Sequence, residues 1–181
     1  MNLANQLTML RFVLALATFA ALSQDASAAH LLALPLFLAA IVTPWVDGYV
    51  ARRMKMISPF GKVADPIADK VLILGTLIAL TKTKELDIPL WGVFLIFARE
   101  VIIGGIRTLS MIQQGKLLAA ETWGKWKMGV QSVCVALMLL ILVAREQFSA
   151  APAWLERIPY PLTVLSVIVT WVSAILYFRQ S

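Results

Sequence analysis

Six apolar stretches, at approximately residues 4–22, 31–51, 64–81, 88–108, 128–144 and 159–178, follow one another along the 181-residue chain. Each approaches the roughly 20 residues that a helix needs to span hydrocarbon. The expected fold is therefore all-α, a polytopic membrane protein with six transmembrane helices. The links between them are short, so the whole chain, 1–181, is expected to form one domain. Composition agrees, since 60% of the residues are hydrophobic and 14% charged, against roughly 45–50% apolar in soluble domains. The first stretch lacks a small-residue cleavage site after a short apolar core and is expected to be a retained helix.

Orientation follows from the cations, because cytoplasmic links carry the excess of Lys and Arg. Arg52, Arg53, Lys55 and Lys62 crowd the link between the second and third stretches, and Arg107, Lys116, Lys125 and Lys127 the link between the fourth and fifth. The opposite links are either free of cations or balanced by acids: Lys82 and Lys84 by Glu85 and Asp87, Arg145 and Arg157 by Glu146 and Glu156. An even number of spans puts both termini in the cytoplasm. The net charge of +6 is spread over membrane-flanking links, which argues for anionic lipid or a phosphorylated substrate and against nucleic acid. Cys134 stands alone mid-stretch and reads as a small packing residue. His30 falls in an outer link and has no assigned role. Trp91, Trp123 and Trp154 near span ends suit an interfacial aromatic belt.

Three carboxylates sit where they are expensive. Asp65 and Asp69 are four apart and share a helix face, and a turn at Ser58-Pro59-Phe60-Gly61 is expected to bring Asp47, at the end of the second helix, beside them. Unpaired they would repel one another, whereas a hard divalent cation would use their oxygens. Interfacial ion pairs such as Asp47 with Arg52 or Arg53 are the competing explanation. A small channel or transporter is disfavoured because the acids cluster beside a cytoplasmic link and not at the midplane.

The residues Asp47, Gly48, Ala51, Arg52, Gly61, Asp65 and Asp69 resemble the signature D-x2-D-G-x2-A-R-x8-G-x3-D-x3-D of the CDP-alcohol phosphotransferase family. The opening residues Asn2, Leu3, Asn5, Leu7, Thr8 and Arg11, the segment ADPIADK at 64–70, AREVII followed by Arg107, and GKWK at 124–127 are similar to bacterial members that use CDP-diacylglycerol as donor and sn-glycerol 3-phosphate as acceptor. The resemblance implies a bacterial inner-membrane enzyme, active on the cytoplasmic side, that releases CMP and needs Mg2+ or Mn2+. It implies metal ligation by Asp47, Asp65 and Asp69, with Asp69 as general base. Asp47, Gly48, Ala51, Arg52 and Gly61 would line the cytidine diphosphate pocket. Arg107, Lys125 and Lys127 are candidates for the acceptor phosphate, with snorkelling to lipid headgroups as the alternative for each lysine. Arg11 and Thr8, on one face of the first helix, would border the same entrance, or else pack or meet headgroups. Glu100 shares a stripe with Arg107 and is expected to orient or neutralise it. Family members commonly pair, so a homodimer is expected.

The signature is broken at its first position, where Pro44 stands in place of an Asp that ligates metal in the family. This opens a second reading, a catalytically weakened or inactive relative that still binds CDP-lipid or serves as an assembly partner. Pro44 also removes a helical hydrogen bond, and a kink there would move Asp47. Ala4 and Met128 are lesser departures, from an expected Pro and Thr.

Overall fold

Long runs of Leu, Ile, Val and Ala keep every backbone hydrogen bond inside its own segment, and the chain accordingly forms helices. In the computed structural model these are α1 (Leu3–Leu22), α2 (Ser27–Met54), α3 (Pro59–Leu80), α4 (Leu90–Gln114), α5 (Thr122–Gln147) and α6 (Pro159–Gln180), with a short 3-10 helix, Ala153–Arg157, before α6. The structure describes residues 3–54, 59–83, 85–114, 122–148 and 152–180. Within those helices the side chains of 3–5, 44–54, 59–63, 107–108, 110–114, 122–123, 125, 153, 177–178 and 180 lie outside the described set. Lys55, Lys84 and Lys116 of the orientation argument also lie outside the described residues.

Among the described residues the expected all-helical architecture with six helices is borne out. α2, α4 and α5 run several residues past their apolar stretches into polar sequence, because backbone hydrogen bonding continues where hydrophobicity stops. The turn expected at Ser58-Pro59-Phe60-Gly61 is corrected at its last three positions, Ser58 lying outside the described residues. α3 already begins at Pro59, a residue whose fixed φ and missing N–H suit the first helical position. α2 remains helical through position 44 to Met54.

α1 packs against both α2 and α3, α2 against α5, α5 against α6, and α4 against α6, while α3 also reaches α4 and α5. Among the described residues α2 and α3 touch only slightly, and α1 lies against both. Small side chains allow this, with Ala15, Ala33, Ala40 and Ala68 buried where helix backbones approach. Gly92 does the same for α4, since a Cβ there would stand 2.6 Å from the Thr163 methyl on α6. Phe37, Leu72, Leu77, Ile96, Met138, Leu139 and Leu142 fill the centre, and Cys134 is buried, as a packing residue would be.

Large apolar side chains also cover the outside. Val13, Leu16, Leu32, Phe94, Val101, Val133, Leu140, Ile168 and Ile175 are all at least half exposed, and Trp91 and Trp154 are exposed near helix ends. Polar groups instead turn inward: Thr8, Arg11, Arg99, Glu100, Lys127, Gln131 and Ser173 are buried. Among the described residues two segments, Trp126–Gln147 and Trp154–Leu176, are long and apolar enough to cross a membrane.

The end of the bundle away from the acids is tied by charge. Arg145 binds Glu85 at 3.3 Å and Glu156 at 2.9 Å, and His30 Nδ1 lies 2.6 Å from Glu146 Oε1. His30 thus departs from its expected place in a link. It sits buried in the first turn of α2 and joins that helix to the last turn of α5, which a sequence separation of 116 residues conceals from any local reading.

Candidate functional site

Asp65 and Asp69 lie one turn apart in the first half of α3, as their spacing requires. Their surroundings come from α1. The Thr8 hydroxyl donates to Asp65 Oδ1 at 2.6 Å, and the Arg11 guanidinium donates to Asp69 Oδ1 at 3.1 Å while standing 3.7 Å from Asp65 Oδ1. Both Oδ1 atoms therefore converge on one cationic nitrogen. Arg11 is almost wholly buried, whereas the side chains of Asp65 and Asp69 are 45% and 26% exposed, so the carboxylates keep a face toward solvent or ligand. Thr8 and Arg11, expected to border the entrance, are both engaged with the carboxylates of α3.

A second polar group faces Asp69 across a small cleft lined by Asp69, Lys70, Glu100, Lys127, Met128 and Gln131. Lys127 is buried and donates to Glu100 Oε1. Arg99 donates to the same oxygen at 3.2 Å and to Ser173 Oγ of α6 at 2.6 Å. Lys70 donates to the backbone carbonyl of Glu100 at 3.2 Å. The described partners of Glu100 are thus Lys127 and Arg99; the side chain of Arg107, its expected partner, lies outside the described residues. Burial of Lys127 also removes the headgroup alternative for that residue. Met128, at the expected Thr position, lines the cleft.

Asp47, Gly48, Ala51 and Arg52 fall in α2, Gly61 in the first turns of α3, Arg107 in α4 and Lys125 in α5. Their side chains, like that of Pro44, lie outside the described residues. Sequence reading missed Lys70, quoted only as the end of ADPIADK, and Gly104. A Cβ on Gly104 would stand 2.5 Å from the Lys70 ammonium, so these two residues meet where α3 passes α4. The one sequence signal was that Gly104 lies four residues after Glu100 and shares its face.

The sequence pattern of the CDP-alcohol phosphatidyltransferases matches residues 1–179. The chain belongs to this family. The CDP-diacylglycerol–glycerol-3-phosphate 3-phosphatidyltransferase of Bacillus subtilis is 41% identical over 113 residues, covering 62% of this chain and 56% of the relative. A probable phosphatidylglycerophosphate synthase of Mycobacterium tuberculosis is 40% identical over 144 residues, 78% of this chain and 67% of the relative. A CMP-forming cardiolipin synthase of Oryza sativa is 37% identical over 115 residues, 58% of this chain and 35% of the relative. The chain thus spans between about a third and two thirds of the length of these relatives. CDP-alcohol phosphatidyltransferases generally depend on a divalent metal. Among the described residues no group of three metal-ligating side chains stands together, but Asp65 and Asp69 supply hard oxygens that already share one cation. That donor set suits a divalent ion with a preference for carboxylate.

Proposed function

We propose that this family member transfers the phosphatidyl group of CDP-diacylglycerol to the primary hydroxyl of sn-glycerol 3-phosphate, giving phosphatidylglycerophosphate and CMP. The observation that carries the reading is the convergence of Asp65 and Asp69 on a single cation beside a small cleft whose lining includes Lys70 and Lys127. The relatives named for this reaction support it. The protein would work as one domain in the bacterial inner membrane, paired as a homodimer, its six helices spanning the bilayer. The apolar exterior supports a lipid surround. The cation-rich links favour cytoplasmic termini and a cytoplasmic site.

In this reading Asp47, Asp65 and Asp69 hold Mg2+ or Mn2+, which would neutralise charge on the donor diphosphate. Gly48, Ala51, Arg52 and Gly61 border the nucleotide. Arg11 fixes Oδ1 of Asp69 and leaves Oδ2 to take the proton of the acceptor hydroxyl. The acceptor oxygen then forms a bond to the phosphatidyl phosphorus, the bond from that phosphorus to CMP breaks, and the electron pair leaves on CMP. Asp69 returns its proton to solvent. Arg107, Lys125 and Lys127 would serve the acceptor phosphate, Lys127 being engaged by Glu100 in this structure.

The test is CMP release from CDP-diacylglycerol and sn-glycerol 3-phosphate, with magnesium or manganese, by the chain as it stands and by its Asp69→Asn variant. Loss of a general base is expected to lower turnover by about 100-fold or more while CDP-diacylglycerol still binds. Undiminished turnover in the variant would refute the assignment of the base. Pro44 favours one second reading, a weakened enzyme, because a carboxylate is absent where the signature has one. Turnover that emerges only in Pro44→Asp would select it.

A further inference from the structure

Lys70 is half-buried on α3 beside the proposed base, and its ammonium crosses to α4. The crossing depends on Gly104, where any Cβ would come within 2.5 Å of Nζ. At its far end the ammonium donates to the Glu100 carbonyl at 3.2 Å, using one of three donors. The other described cations around the carboxylates and the cleft are committed: Arg11 to Asp69 and Asp65, and Arg99 and Lys127 to Glu100. Lys70, among the described residues, binds no carboxylate. Among the described residues three cations, Lys70, Arg99 and Lys127, stand with two acids, Glu100 and Asp69, so the cluster keeps a surplus of one positive charge. A phosphate monoester, close to a dianion at neutral pH, is the ligand that such a surplus fits.

We propose that Lys70, admitted to the cleft wall by the bare α-carbon of Gly104, binds the phosphate of the acceptor alcohol and so selects phosphorylated over uncharged acceptors. The assignment rests on the transferase reading above and names a recognition residue for it. Asp69 and Lys70 are consecutive, so one stretch of α3 offers the base to the acceptor hydroxyl and the cation to the acceptor phosphate. The carbonyl of Glu100 holds the ammonium in place until the phosphate arrives.

The experiment compares the wild-type chain, Lys70→Met, Gly104→Ala, the double variant and Gly105→Ala, all in lipid nanodiscs. Lys70→Met keeps most of the apolar stem and removes the charge. It is expected to raise KM for sn-glycerol 3-phosphate by roughly 10–100-fold, as for loss of a hydrogen bond to a charged group, with KM for CDP-diacylglycerol changed by less than about twofold. Gly104→Ala displaces only the mobile end of Lys70, so the fold survives, and it should raise the same KM at least about threefold. The double variant should be no worse than Lys70→Met alone, because both changes remove one interaction. Gly105→Ala, where nothing lies within 4 Å of the added methyl, should match wild type. Calorimetric titration with sn-glycerol 3-phosphate and with inorganic phosphate separates the two assignments. A wild-type chain that binds these anions through Lys70 but releases no CMP would sink the transferase reading and uphold the phosphate site. Unchanged KM and unchanged anion affinity in Lys70→Met, or additive effects in the double variant, would overturn the proposal.

Discussion

Replacing Glu100 by Met should be among the most destabilising single changes in this protein, and more so than replacing Lys127. The Glu100 carboxylate is 8% exposed, Arg99 8% and Lys127 3%, so solvent screens little of their interaction. At the 3.2 Å separation of Arg99 and Glu100 an effective dielectric near 20 gives an attraction of about 5 kcal/mol before desolvation is counted. Removing Glu100 leaves two buried cations facing each other, a situation expected to cost about 3–5 kcal/mol. Removing Lys127 leaves Glu100 still paired with Arg99, so Lys127→Met should cost only about 1–3 kcal/mol, in the range of one lost hydrogen bond to a charged group. The double replacement leaves Arg99 with Ser173 and should be more stable than Glu100→Met alone. Denaturant unfolding of the protein in detergent micelles, followed by tryptophan fluorescence, measures all three. A Glu100→Met loss below about 1 kcal/mol, or strict additivity in the double variant, would show that the three charges do not act as one buried cluster.

Arg11→Met should lower stability by about 1–2 kcal/mol without metal, a value reduced for the partial exposure of Asp65 and Asp69. Millimolar magnesium should then restore more stability to the variant than to wild type, because a metal ion and the guanidinium compete for the same two carboxylates; an equal loss in thermal unfolding with and without magnesium would refute the shared site. His30→Leu leaves the Glu146 carboxylate without its partner and should cost about 1–3 kcal/mol in the same unfolding assay. KM for either substrate should stay within about twofold of wild type, since the pair ties α2 to α5 at the end of the bundle away from Asp69. Chelation by EDTA should stop CMP release, and added magnesium or manganese should restore it; turnover that persists in EDTA would contradict ligation by Asp65 and Asp69.

Much of the architecture is written locally. Runs of about 20 apolar residues determine a helix wherever water is excluded, and a spacing of four puts Asp65 and Asp69 on one face whatever surrounds them. The presence of the six helices, the packing of Cys134 and the pairing of the two acids were therefore legible residue by residue. So was family membership, because the signature residues sit within a short stretch of chain.

The partners were not legible. Thr8 meets Asp65 across 57 positions and Lys127 meets Glu100 across 27, and which helix faces which depends on how small residues such as Ala15, Ala33 and Gly92 let backbones approach. Tertiary packing brings Lys127 of α5 to Glu100 of α4, a partner that no stripe along α4 reveals. A periodicity states which residues share a face, and only the neighbouring helices decide what that face meets. The sequence thus determined six helices, an acid pair and a family, while the tertiary structure decided that Arg11 bridges the acids, that His30 binds Glu146 and that Lys70 reaches α4 over Gly104. Hydrogen bonding within a helix is local, whereas charge pairing in a low-dielectric interior depends on distances that exist only after the helices have packed.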